Sequence, residues 1–278
     1  MALVFQGAGT AAAASGASPQ NVTTTVAFGI GDYTVIVLAY DNSGGGGADP
    51  VGTITPTGVS MGNWVNQQHS LNDPGAASAG LVTKAYIYGP ATAPFGIGSV
   101  IALNWSGTVV VRAAAIARVS SNIGATVSYR TNSGATGTNV VASAAPALTT
   151  PSVNAGELVV CYAGHENGAN ITGDADTTNG SWSAITTTFA GSALTGMAVG
   201  IQGKVVTATG TQAFNPTGTS SDWILGAFIF TEVISVPGRP KAYLAGAFTK
   251  KPLKVYSGAA WVEKPVKVWT GSAWKTLT

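Results

Sequence analysis

Only 11 acidic residues and two histidines are spread over the 278 residues of this chain, so catalytic chemistry would have few groups to draw on. His165-Glu166 is the one adjacent pair whose types could work together as base and acid. On a strand, however, neighbouring residues point to opposite faces, and the plainer reading is a strand end entering a loop. His69 lies in the polar run Gln67-Gln68-His69-Ser70. No G-x-S-x-G sequence anchors a nucleophile. Asp174, Asp176 and Asn179 could offer oxygen atoms to calcium, but the Gly and distal Glu of an EF-hand loop are missing, and Asx-rich turns have the same look. A glycosidase pair would have to come from Asp41, Asp73, Asp174, Asp176 and Glu166, and nothing local joins two of them. The run Gly44 to Gly47 is not followed by Gly-Lys-Ser/Thr, so it reads as a loop tip and not as a phosphate cradle. The single cysteine, Cys161, excludes an intramolecular disulfide and sits in an apolar run, LVVCY, as a small core residue. The expectation is a non-enzyme with no catalytic residue, no cofactor and no metal site.

What remains is recognition chemistry. Tyr40, Asn42, Asn63, Trp64, His165, Asn167 and Trp182 flank corresponding loops, and aromatic faces beside amides suit sugar binding. Aromatic residues at strand ends are more often buried, so Tyr40, Asn42, Trp64, His165, Asn167 and Trp182 enter as glycan- or partner-contact candidates only.

The elements that would position these residues are strands. Hydrophobic residues make up 45% of the chain and charged residues 9%, against about a quarter charged in ordinary soluble domains. Val, Thr, Ile and Trp recur in short blocks between Gly, Pro, Asn and Asp, which predicts many short strands joined by turns. The longest apolar runs, Tyr33 to Tyr40 and Trp223 to Phe230, fall well short of the roughly 20 residues a membrane helix needs. The N-terminus has no basic segment before its apolar residues, which predicts synthesis in a cytoplasm without a secretory leader.

The chain also repeats itself. GDYTVIVLAYDN, from Gly31, aligns without a gap with GELVVCYAGHEN, from Gly156. In each half a Trp-bearing segment follows (around Trp64 and Trp182), then an alternating segment, then a strongly apolar strand (Val109 to Val119, Trp223 to Val233). The predicted fold class is all-β: an internally duplicated β-sandwich or jelly-roll body, with halves at 1–120 and 121–235, followed by a hairpin-repeat module at 236–278. One pseudo-symmetric body and two separate sandwiches both fit the periodicity.

Past Val236-Pro237-Gly238 the character changes. KPLKVYSGAAW, from Lys251, and KPVKVWTGSAW, from Lys264, repeat one hairpin pattern, and RPKAYLAGAF, from Arg239, is a degenerate first copy. From Arg239 on there are eight of the 13 Lys+Arg and one acid, Glu263, a net of about +7, while the preceding body nets near −5. Solvated hairpin faces that block edge pairing are the plain reading. Docking on a protein or an anionic envelope polymer comes next, and nucleic acid last. The docking candidates are Lys254, Tyr256, Trp261, Lys267, Trp269 and Trp274.

LVFQGAGTAAA, YDNSGGGGADP, SLNDPGAASAG, DTTNGSWS, KVVTATGTQAFNPTGTSSDW and the closing KPVKVWTGSAW together resemble the minor tail proteins of phages infecting mycobacteria and related actinobacteria, across nearly the whole chain. The resemblance implies a virion structural component near the tail or tail tip, built of β-sandwich domains, with no catalytic residues to carry over. Its implied partners are other virion proteins, copies of itself in a homo-oligomer, and the glycans of a host envelope. A capsid decoration protein and a carbohydrate-binding receptor module are the alternatives.

Overall fold

The computed structural model describes residues 3–13, 18–41, 54–72, 80–105, 111–130, 138–192 and 195–233, and then 241–244, 247–250, 254–256, 261–265, 267–269 and 274–276. For 67–72, 138–142 and most of the C-terminal stretch the backbone alone is described. The blocks rich in Val, Ile, Thr and aromatic residues form strands, because such side chains fill a pleated, half-buried surface. Every strand pairing whose register is described is antiparallel, and the protein is all-β among the described residues. The chain divides into a body, 2–232, and a second unit that starts at Val233.

The first half of the body contains β1 (Leu3–Ala13), β2 (Gln20–Thr23), β3 (Tyr33–Asp41), β4 (Thr55–Thr57), β5 (Trp64–Asn72), β6 (Leu81–Tyr88), β7 (Val100–Asn104) and β8 (Arg112–Ser121). They form a large sheet in the order β1-β8-β3-β6-β5 and a small one in the order β2-β7-β4. This is jelly-roll connectivity with β5 joined to the large sheet.

The second half repeats it. Its strands are β9 (Thr126–Tyr129), β10 (Thr138–Ser143), β11 (Leu148–Thr149), β12 (Leu158–His165), β13 (Thr186–Ala190), β14 (Met197–Val205), β15 (Ala213–Phe214) and β16 (Ser221–Val233). The large sheet runs β10-β16-β12-β14-β13, with β9 also on β16, and β11 pairs β15. An isolated Thr172–Thr217 bridge stands where β4 lies in the first half. The aligned strands β3 and β12 are each flanked by the corresponding neighbours, β6 and β8 against β14 and β16.

Alternation along β3 and β12 sends successive side chains to two cores. Val35, Val37, Val160 and Tyr162 point between the two large sheets, into a central core with Val199, Ile224, Phe228 and Phe230. Ile36, Leu38 and Tyr40 point outward under the first small sheet, with Val22, Ile101 and Leu103. Val159, Cys161 and Ala163 point outward in the second half, with Leu148, Trp182, Phe214 and Trp223. The body is thus two jelly rolls, each with its own core, joined through a third core between their large sheets. Each large aliphatic or aromatic side chain placed there contributes roughly 1.5–3 kcal/mol.

Glycines set how closely the sheets approach. A side chain at Gly164 would collide with Thr83 of the facing sheet, and one at Gly203 with the Phe5 ring. At the other end of the strands the Tyr33 ring edges onto Phe230, the residue paired with Leu158. The strands β3 and β12 therefore run the same way, and both finish at one end of the body, hereafter the upper end. The strands β1, β5, β10 and β13 also finish there, and β6, β8, β14 and β16 start there.

The lower end is closed by two matching turns. Gly31 and Gly156, both at φ 89°, adopt the left-handed backbone that suits glycine. The carboxylate one residue on accepts a backbone N–H from three residues back: Gly29 to Asp32 and Asn154 to Glu157, each at 2.7 Å. Each carboxylate also meets an arginine at 2.6 Å, Arg118 for Asp32 and Arg130 for Glu157.

The second unit contains three hairpins: β17 (Lys241–Leu244) with β18 (Ala247–Lys250), β19 (Lys254–Tyr256) with β20 (Trp261–Glu263), and β21 (Lys267–Trp269) with β22 (Trp274–Thr276).

Candidate functional site

The strands deliver the sequence candidates to different ends of the body. Tyr40, His165 and Asn167 stand at the upper end, while Trp64 and Trp182 open β5 and the approach to β13 at the lower end. Asn42 and Asp73 lie outside the described residues.

At the upper end the candidate side chains turn inward. Tyr40 is fully buried, with the Lys84 ammonium 5.9 Å from its ring centre. His165 is fully buried and stacks on Trp223, ring centres 3.8 Å apart, with Nε2 3.0 Å from the Thr219 carbonyl oxygen. Burial pushes the His165 imidazole down to about 4, against a smaller upward pull from Thr219. Its Nδ1 has no hydrogen-bond partner among the described residues. Glu166 and Asn167 are buried as well, and the Glu166 N–H donates to the Asp222 carbonyl. Tyr40, His165 and Asn167, named from the sequence as contact candidates, are thus all buried. Tyr40 and His165 pair within the sheets and period-two alternation carries them into the outer cores, while the Asn167 N–H, past the end of β12, donates to the His165 carbonyl.

The Asp174 cluster is a set of turns. One Asp174 carboxylate oxygen accepts the Asp176 N–H and the other the Asn215 N–H, both at 2.7 Å. Asp176 accepts the Thr178 N–H at 2.9 Å and faces the Lys204 ammonium at 3.2 Å. The Thr178 backbone and hydroxyl, ahead of Lys204, hold the Asp176 carboxyl down to about 2. The Asn179 carbonyl oxygen is taken by Thr207 and Ala208. Each side-chain oxygen of Asp174, Asp176 and Asn179 thus accepts a protein donor. Among the described residues, no three His, Cys, Asp or Glu gather as a metal site.

The two tryptophans divide sharply. Trp182 is 9% exposed, packed 5.3 Å from the Phe214 ring with Lys204 above its face at 5.2 Å. Trp64 is 58% exposed. Beside it, the loop 58–63 is fastened to the turn after β6 by Gly89 N–H to Asn63 and Thr92 N–H to Ser60 hydrogen bonds. Shallow grooves lie elsewhere. One of 290 Å³ runs between Ile30, Asp32, Pro90 and the 124–127 turn, and one of 350 Å³ between Gly7–Thr10 and Thr186.

In the second unit the register carries a pattern that reading motif by motif misses. Tyr243 pairs Phe248, Tyr256 pairs Trp261 and Trp269 pairs Trp274, so each hairpin has an aromatic cross-strand pair. Lys241, Lys254 and Lys267 each stand two residues before the first aromatic, at a constant spacing of 13 residues. The signal was available as spacing; it hides because the prolines, the most visible markers, are out of step in the first copy.

No helix among the described residues is long and apolar enough to cross a membrane. No family model, curated protein or solved structure matches the chain. The class that the fold itself defines is a duplicated jelly-roll protein with a tandem of small hairpins.

Proposed function

We propose that this chain is a non-catalytic structural protein of a tailed-phage particle, a minor tail or tail-tip component that works by contact and not by turnover. The observation that carries the reading is architectural. A body with three stacked cores is followed in the chain by a tandem of basic, aromatic-paired hairpins, a build suited to making contacts. The sequence resemblance to actinobacterial phage tail proteins supports the same assignment, as does a surface made polar by Thr, Ser, Asn and Gly. Copies of the chain assemble with one another and with other virion proteins. Capsid decoration uses the same architecture at a different address.

The test is the protein inventory of particles banded on a density gradient. The reading expects the chain at constant copy number per particle through successive purifications. Its disappearance from banded particles, with the protein left in the medium, would remove the virion assignment. A carbohydrate-binding receptor module is the second reading, favoured by the exposure of Trp64.

A further inference from the structure

The duplication supplies an internal control for Trp64. Thr34 and Val159 are equivalent in the aligned strands, and their partners across the sheet are Tyr88 and Lys204. Trp64 pairs Tyr88, and Trp182 bridges Lys204. Each tryptophan also follows, by two residues, a glycine with positive φ, Gly62 at 88° and Gly180 at 109°. The two tryptophans therefore occupy the same position of the same fold. In the second half that position is covered by Phe214 and Lys204, whereas in the first half the indole lies open. The fold requires no exposed tryptophan here, and leaving one in water forgoes the stabilisation that burying a large apolar side chain brings.

The surroundings indicate what would cover it. Residues 54–67 and 85–99 contain no Asp, Glu, Lys or Arg. Asn63 and Ser60, one and four residues before Trp64, are exposed, as is Thr92, whose N–H meets the Ser60 carbonyl; Tyr88, the cross-strand partner of Trp64, and Val59 are half-buried, and the backbone is pinned at Asn63 and Ser60. An exposed indole on a fastened backbone, in segments whose polar residues are neutral, matches a ligand with one flat C–H-rich face, a rim of hydroxyls and no charge. A protein partner would bury roughly 800 Å² on each side, and apart from Trp64 the exposed residues of 54–67 and 85–99 are Gly, Ser, Thr, Asn and Pro, with Ile97 the one other large apolar side chain among them. We infer that Trp64 is the stacking platform of a neutral-glycan subsite. A pyranose ring lies on the indole, with Asn63 and Ser60 placed to hydrogen-bond its hydroxyls.

The inference rests on the contact-making reading of the chain, but it is tested without particles, so it can fail while the virion assignment stands. Purified full-length protein is titrated with a soluble mannan and a soluble arabinogalactan, alongside a polyuronate, by calorimetry and tryptophan fluorescence. Binding to at least one neutral polymer is expected, insensitive to salt up to about 0.5 M because no ion pair is involved. Trp64→Ala should weaken it tenfold or more without moving the melting temperature, while Trp64→Phe retains part of it. Unchanged affinity in folded Trp64→Ala would overturn the subsite, as would binding to the polyuronate alone or to none of the polymers. Self-association of the wild type that Trp64→Ala abolishes, seen by sedimentation, would also overturn it and make Trp64 a protein interface.

Discussion

Residues of one type in this protein carry different roles according to which core they meet. Trp64→Ala should change stability by no more than about 0.5 kcal/mol, as exposed substitutions do. Trp182→Ala should cost about 3–5 kcal/mol, because it opens a cavity beside Phe214. Equal effects in urea denaturation would contradict their assigned burial. His165 gives a pH prediction. With the folded imidazole depressed to about 4 and an unfolded value near 6.5, the unfolded chain holds a proton that the folded chain lacks across that window. Stability is then complete above about pH 6.5 and falls by up to about 3 kcal/mol as pH drops toward 4. His165→Phe, which keeps a ring on Trp223, should flatten that part of the stability–pH curve; an unchanged slope would place the titration elsewhere. Asp41, whose carboxyl burial pushes up, acts with the opposite sign and partly offsets the slope.

At the scale of elements, glycine marks where two sheets touch. Gly203→Ala pushes a methyl into Phe5 across the central core, while Gly210→Ala enters open space. The first should cost about 1–3 kcal/mol and the second almost nothing, as read from denaturant midpoints. A comparable cost at both would mean that Gly203 does not set how closely the sheets approach. The strands themselves were legible in the sequence. Runs such as YTVIVLAY and WILGAFIF have strand length and are bounded by turn formers, and the GDYTVIVLAYDN/GELVVCYAGHEN alignment named the equivalent strands. The candidate residues were less legible. Continuous apolar runs are buried on both faces, so Tyr40 and His165 at their ends gave no sign of which way they face. Trp64 and Trp182 look alike in sequence, and only Phe214, far away along the chain, separates them. The arginine partners of Asp32 and Glu157 lie on unrelated segments, one on β8 and one just after β9, so no local motif announces the matching turns.

For the whole molecule, the central core has a consequence for cooperativity. Each half leaves one face of its large sheet apolar, with Val35, Val37 and Ala115 on one side and Val160, Tyr162 and Phe228 on the other. The body should therefore unfold in one calorimetric transition with matching calorimetric and van't Hoff enthalpies. Two resolved transitions, one per jelly roll, would show that the shared core is not what joins them. The proposed function places this body and its repeated hairpins on a phage particle, at the tail. The measurement that bears on this most directly is electron microscopy of intact particles labelled at the C-terminus of this chain. The account predicts label at the distal tail. Label spread over the head would contradict the tail assignment in favour of capsid decoration, and particles without label would contradict the virion assignment altogether.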